Sequence, residues 1–449
     1  MLYSPKDDIF YKGGDLGPPG LRAKGRWIIC GFSMVKGKDY GETASPSADM
    51  ITWRILLSVE VMIHRPELIS AQFDVPTAYL WTSNNKHRIY MEQAPGYEEP
   101  NSEGMVWELG TYLYGEPDAG LAWYHELSGV MKSLKYAIVK ASPSLFVKVN
   151  RLEGGPRNKD FYDDPQNAHR NVAMRLPDGT TGILGRDVAA TYVLLQVDDG
   201  KVVSNCADHV AELKAAMTAF NTKWHTPTES YLGAEESRDI QGEIRITSKA
   251  QIDKFADRYS EYLNGPVPRV PADPSHKYKA TVGMEACGEE EREKMRGLPY
   301  RQMIGSAFYV ARLCHPELAF KLCDLAQHVA NSGPAHWDML KVLGCFIKAQ
   351  RDEGLHFRAP TPGTRQIVQV SDANWASDKT DRKSVDAHAI YVWGNLVAFL
   401  RVQEAAVHVT VVLRIRAGRS RASRGGVQAR RRGPGRHGDS TRASNPSLY

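Results

Sequence analysis

The spacing of apolar positions changes period several times along the chain, and each change marks an expected element. Residues 50–63 have the mixed apolar spacing of a helix, residues 121–136 (LAWYHELSGVMKSLKY) fit an amphipathic helix, and Ile252, Phe255, Ala256, Tyr259 and Leu263 repeat at helical spacing. Residues 26–32 read as a strand-like apolar run. Residues 67–75 form another that reaches Asp74 and then Pro76, which predicts a buried strand ending at Asp74. Residues 192–197, then Asp198-Asp199-Gly200, then residues 201–204 spell strand, tight turn, strand. Asp-Gly is expected to supply the positive φ angles there, with both aspartates at the hairpin tip. Beyond a Pro-rich link at 266–274, residues 300–331 and 335–350 read as helices, and strand-like segments flank Asp372 and Gly394-Asn395. Three stretches lack a usable period. The first 23 residues are breaker-rich loop, and residues 151–190, polar and bearing Gly and Asp, read as an inserted loop. Residues after Leu413, mostly Arg, Gly, Ser and Ala, bury too little apolar surface to order themselves and read as a disordered tail.

Bulk properties narrow this picture only slightly. At 449 residues, 42% hydrophobic and 24% charged, the chain has room for two or three ordinary globular domains. Its opening residues carry charges where a signal peptide needs an apolar run, and the apolar stretch at 405–413 is interrupted by His408 and Thr410. The expectation is an intracellular protein with no membrane partner. Six scattered cysteines without CxxC pairs fit free thiols; Cys206 and His209 make half a metal site with no second pair to complete it. Residues 414–442 hold ten arginines and one aspartate, so they carry +9 and the remaining chain −4. Net charge is therefore no argument for a nucleic-acid channel on the body.

The chemistry lies in one acid at a strand end, Asp74, and an acid pair 124 positions later, Asp198 and Asp199. Nucleotidyl transfer needs such a set: two Mg2+ or Mn2+ ions about 4 Å apart, held by oxygen ligands, activate a primer 3′-hydroxyl and steady the leaving pyrophosphate. Spacing alone leaves a plainer reading open, since Asp-Asp-Gly suits any hairpin and Asp before a turn is common.

Resemblance extends the reading. KGRWIICGF at 24–32, DYGETASPSADMITWRILL at 39–57, QFDVPTAYL at 72–80 and IYMEQAPGYEEP at 89–100 resemble, in order, the motifs of copia-type retrotransposon reverse transcriptases. So do YLYG at 112–115 with Trp123-Tyr124, SLFVK at 144–148, VDD at 197–199 and YLG at 231–233. YRQMIGSAFYVARLCHPELAF at 300–320, HW at 336–337 and SDANWASDKTDRKS at 371–384 complete the series. The resemblance implies an α+β right-hand polymerase with fingers, palm and thumb, followed by an incomplete ribonuclease H-like α/β domain. The implied divisions are fingers and palm at 1–245, thumb and connection at 246–360, a partial ribonuclease H at 361–410 and the tail at 411–449. It also implies RNA-directed DNA synthesis on an RNA or DNA template-primer, with dNTPs and two Mg2+ or Mn2+ ions held by Asp74, Asp198 and Asp199 beside the Val75 carbonyl. Arg26 would reach the incoming triphosphate, with Lys24 a second phosphate contact; the plain alternative for Arg26 is a surface arginine. Tyr79 would lie under the sugar, or else is a core tyrosine. Asp372 matches the first ribonuclease H carboxylate.

Departures from the pattern bear on activity. Gln196 stands where the family has tyrosine before Val-Asp-Asp, Pro117, Asp118 and Gly120 replace Lys, Gln and Pro, and Pro76 replaces the lysine of DVKTA. Asp118 would repel phosphate unless it faces away. Only Glu404 and Asp439 remain as acids after residue 400, so ribonuclease H activity is expected to be lost. The Arg-rich end, which has no lysine, reads either as a shifted frame or as a basic arm that neutralises phosphates. The family's protease and integrase would lie upstream of where this sequence starts. Two readings stay open: a working reverse transcriptase, and an inactive remnant that at most binds nucleic acid. A host protein that adopted the domain for another role is a third.

Overall fold

Asp49 starts the first long helix. Its carboxylate accepts the Thr52 backbone N–H at 2.8 Å and the Thr52 hydroxyl at 2.6 Å, satisfying a donor the helix cannot. The helix α1 (Met50–Glu60) then buries Trp53, Leu56 and Leu57 along one stripe. The computed structural model describes residues 28–83, 88–93, 98–226, 228–271, 288–374 and 385–403. Lys24, Arg26 and the Arg-rich end lie outside them.

After α1 come β1 (Ile69–Asp74), a small hairpin of β2 (Tyr90–Glu92) and β3 (Val106–Glu108), α2 (Ala119–Ser133), β4 (Ala137–Val139) and β5 (Ser142–Arg151). The stretch expected to be a loop holds α3 (Lys159–Tyr162), a 3-10 stretch (Pro165–Arg170) and a hairpin of β6 (Ala173–Arg175) and β7 (Thr181–Ile183). These pieces are too short to imprint a period on the sequence. They are held by aromatic packing instead, with Phe161 against His64 at 4.3 Å and Tyr162 buried. Next follow β8 (Val188–Gln196), β9 (Asp199–Ser204), α4 (Ala207–Met217), β10 (Lys223–His225), β11 (Ser230–Tyr231), β12 (Ala234–Arg238), β13 (Ile244–Thr247) and α5 (Lys249–Arg258). Then come α6 (Glu289–Met295), α7 (Tyr300–Cys314), α8 (Ala319–Ala326), α9 (Pro334–Ala349), β14 (Gly354–Phe357), β15 (Ile367–Asn374), β16 (Val385–Val392) and β17 (Asn395–Gln403).

Two expected elements differ. The single helix expected over 300–331 is interrupted at His315-Pro316, where proline removes a backbone donor. The strand expected over 26–32 is, in its described part, one bridge from Ile28 to Tyr114 followed by a 3-10 turn (Gly31–Ser33). Close backbone approach explains the glycine: a Cβ on Gly31 would lie 2.0 Å from the Gly115 carbonyl oxygen.

The architecture is mixed α and β. The main sheet runs β10-β1-β9-β8-β5-β4, with every neighbouring pair antiparallel. Its strands bury both faces, so neighbouring residues serve different cores. Phe73, Val193 and Val202 pack with Trp123, Leu127 and Met131 of α2 and Leu213 and Met217 of α4. Leu194 and Val203 point the other way, into a core with Trp53, Leu56 and Leu57 of α1 and Tyr231, Ile244, Ile246 and Phe357 of the second sheet. That sheet, β11-β12-β13-β14, draws strands from both sides of residue 245. A third core joins α5, α7, α8 and α9 around Phe255, Met303, Leu322 and Leu340.

The last sheet, β15-β16-β17, lies beside α1. Arg54 links them: its guanidinium donates to the Leu313 carbonyl at 2.8 Å and the Val397 carbonyl at 3.4 Å, and stacks 4.8 Å from the Phe399 ring. Burial lowers its pKa to about 10. Among the described residues no helix is long and apolar enough to cross a membrane.

Gly200 shows how tightly the main sheet is built. It faces Phe73 across β1 and β9, and a Cβ there would lie 2.2 Å from the Phe73 ring. Gly200→Ala is expected to destabilise the fold by about 1–3 kcal/mol through overpacking, read as a lower urea midpoint with unchanged slope.

Candidate active site

Antiparallel register places the acids. On β1 and β9, Asp74 lies directly opposite Asp199, so both side chains leave the same face at the same end of the sheet. The chain beyond Asp74 remains tied to the hairpin, because the Val75 N–H donates to the Asp198 carbonyl at 2.9 Å. Strand pairing therefore brings the three aspartates to one corner. Asp199 registers the crowding: burial, then the charges of Asp198 and Asp74, push its pKa up to about 6, against smaller opposing effects of a Gln72 hydrogen bond and His225. Among the described residues no three His, Cys, Asp or Glu side chains form a group arranged to hold a metal ion. The three acids share one corner of the sheet through strand register, and their side chains do not form such a group.

The hairpin turn differs from its expected geometry. Gln196 pairs with Asp199, so the turn residues are Val197 and Asp198, and positive φ falls on Val197 at 57°. Asp199 and Gly200 are already strand, and Gly200 serves packing rather than the turn. A β-branched residue with positive φ is strained, and something must hold it there. The Trp123 indole N–H does so, donating to the Val197 carbonyl at 2.7 Å from the buried face of α2.

Pro76 is tolerated because β1 ends at Asp74, leaving no ladder donor to lose. Thr77 adopts left-handed φ of 55° and starts a 3-10 turn (Ala78–Trp81), braced by the Trp81 indole donating to the Pro76 carbonyl at 3.1 Å. This turn presents Tyr79, half-buried, with its ring 5.0 Å from Tyr114. Burial, then the Asp198 charge, raise the Tyr79 phenol. A Cβ on Gly120 would meet the Tyr79 hydroxyl at 3.7 Å, ordinary contact.

Asp118 points into the protein interior. It is buried, and the Tyr112 hydroxyl donates to its carboxylate at 3.4 Å. Its neighbour Glu116, also buried, accepts the Leu113 N–H at 2.7 Å and is pushed up to about 7, mainly by burial. Gln196 keeps a buried side-chain oxygen with no protein hydrogen-bond partner. The ring nitrogens of His209 contact Thr191 Oγ1 at 3.0 Å and Asn150 Nδ2 at 3.2 Å, so His209 links α4 to β8 and β5. Asp372 is exposed on β15, opposite Ala387.

Beneath the acids lies a buried charge network that the sequence reading missed. Lys201, fully buried two residues after Asp199, donates to both Glu236 oxygens at 2.9 and 2.8 Å and lies 3.3 Å from Glu60, which also pairs with Arg238. Burial opposes the Lys201 charge, but Glu236 and Glu60 outweigh it and raise its pKa. The network ties β9 to α1 and β12. No spacing rule marks it, because its members are brought together only by packing of three elements. Gln72 was overlooked as well, although two-residue alternation puts it on the face of Asp74.

Residues 11–154 match the family described as reverse transcriptase (RNA-dependent DNA polymerase). Over 381 residues, 84% of this chain, the sequence is 25% identical to the retrovirus-related Pol polyprotein from transposon TNT 1-94 of Nicotiana tabacum. It is likewise 25% identical to the Pol polyproteins from transposons RE2 and RE1 of Arabidopsis thaliana, each over 86% of the chain. The chain spans only about a quarter of the length of these relatives, 25% of the first and 23% of the others. Ordered motifs and these matches agree: residues 11–154 match the reverse transcriptase family, and the chain is similar over most of its length to a part of the Pol polyproteins of copia-type retrotransposons.

Proposed function

We propose that this chain catalyses template-directed addition of deoxynucleotides to a primer 3′-end, with the main sheet as the palm of a right-hand polymerase. The observation that carries the reading is the register of Asp74 opposite Asp199, with Asp198 at the adjoining turn. An all-carboxylate set with mutual repulsion suits hard divalent cations, and like-charge crowding at Asp199 is relieved by them. When bound, two such ions lower the pKa of the attacking hydroxyl and neutralise the leaving pyrophosphate. Asp74, Asp198 and Asp199 would hold them, with the Val75 carbonyl nearby. Tyr79 would lie under the incoming sugar, where a 2′-hydroxyl clashes with its ring. Arg26 and Lys24 would contact the triphosphate, and the segment holding α5 to α9 would act as thumb and connection. Asp372 would be the first carboxylate of a ribonuclease H-like sheet whose cleavage activity is lost.

The burial of Asp118 against Tyr112 supports turnover, since a carboxylate held there would be kept from the phosphates. The test is extension of a labelled primer on a homopolymer RNA template with Mg2+, with EDTA and template-free controls. Template-dependent products abolished by EDTA support the reading. Folded protein that binds template-primer and extends nothing would establish the inactive remnant instead.

A further inference from the structure

The acid corner raises a positioning problem. Asp199 and Lys201 leave the same face of β9, about 7 Å apart along the strand. Lys201 is a buried cation, and a carboxylate free to turn toward it would be captured as a third partner beside Glu236 and Glu60. Gln72 neighbours both groups across the strand pair. It lies opposite Lys201 on one side and His225 on the other, shares its face with Asp74, and is therefore diagonal to Asp199 across the strand pair. That diagonal position puts its carboxamide within hydrogen-bonding reach of the Asp199 carboxylate.

We propose that Gln72 is a positioning residue for the catalytic acids: its neutral carboxamide donates to the Asp199 carboxylate, holds it at the open end of the sheet, and competes with the Lys201 ammonium for it. This rests on the polymerase reading of the same corner. A neutral donor suits the task. A cation at position 72 would itself pair with Asp199, and an apolar residue would leave the carboxylate unanchored. Groups that orient metal-holding side chains without touching the metal change metal affinity or activity by about 10–100-fold when removed.

The test measures Mn2+ binding by loss of the free-ion EPR signal, together with urea unfolding and primer extension. The variants are Gln72→Met, Gln72→Leu and Gln72→Lys, with Asp74→Asn as reference. Met and Leu are expected to weaken Mn2+ binding on the order of tenfold with the urea midpoint near that of the parent chain. Extension should fall through kcat, with KM for template-primer unchanged. Lys is expected to weaken Mn2+ further, by capturing Asp199. Should Met lower the midpoint, Leu supplies the comparison. Parent-like Mn2+ affinity and kcat in folded Met or Leu variants would overturn the proposal while leaving the polymerase reading intact. A parent chain that binds Mn2+ no better than Asp74→Asn would overturn both.

Discussion

Replacing Asp198 and Asp199 together by asparagine is expected to lower template-directed primer extension at least about a thousand-fold, a loss of about 4 kcal/mol of transition-state stabilisation. The same variant should be more stable than the parent chain in metal-free buffer at pH 7.5. Both effects arise from one arrangement. Asp199 lies opposite Asp74 with Asp198 beside it, and burial together with those two charges pushes its pKa up to about 6 from an ordinary carboxylate value near 4. A carboxyl whose folded pKa is raised binds its proton more tightly in the folded than in the unfolded chain. Ionising it therefore costs stability, and the cost accumulates as pH rises from about 4 to about 6. Asparagine removes that cost, so the variant's advantage in melting temperature should grow across this window and vanish below it. Mg2+ or Mn2+ should raise the melting temperature of the parent chain, by binding only the folded state, and leave the variant unmoved. Retained extension in the variant would remove these aspartates from catalysis. A destabilised variant would show that the carboxylates support the fold rather than strain it.

Lys201→Met is expected to cost about 3–5 kcal/mol of folding stability, the usual result of removing one partner from a buried ion pair. The methionine fills similar volume, so the loss is electrostatic. Glu236 and Glu60 would remain buried beside each other, with only Arg238 to balance Glu60. The pKa of Glu236 is already raised by burial, with Lys201 opposing the shift. Without Lys201 it rises further, and the variant gains stability as pH falls and Glu236 takes a proton. Urea unfolding should thus show a deficit that is largest near pH 8 and narrows toward pH 5. Adding Glu236→Gln should recover most of the loss, because the orphaned charge is then absent. A single variant as stable as the parent at pH 8 would contradict the network. The network also borders the acid corner, since Lys201 anchors β9 two residues from Asp199, and the second sheet is tied to β8 by the Tyr231 hydroxyl, which donates to the Leu194 carbonyl at 2.8 Å.

Much of this protein is legible from its sequence, and the reasons are local. The helix at Met50–Glu60 follows from an N-cap aspartate and an apolar stripe, and the strand Ile69–Asp74 from an apolar run closed by proline. The hairpin bearing Asp198 and Asp199 follows from two apolar runs flanking a turn signal. Ordered motifs carried the resemblance to copia-type reverse transcriptases. Four features were decided only by tertiary structure. The turn's strain sits on Val197 rather than on the glycine after it, because the space beside Gly200 belongs to Phe73, a residue 127 positions away. Asp118, which sequence placed as a threat to phosphate binding, turns inward to Tyr112 because the start of α2 is buried. The polar stretch after Arg151 is ordered by aromatic contacts with His64, which leave no period behind. Lys201 looks like an ordinary strand lysine until α1 and β12 bring Glu60 and Glu236 against it. Sequence determined which acids exist and which strands carry them, because capping, alternation and turn chemistry act between near neighbours. Which charges are buried, paired or crowded depends on contacts between distant segments, and those were settled only when the sheets and helices packed.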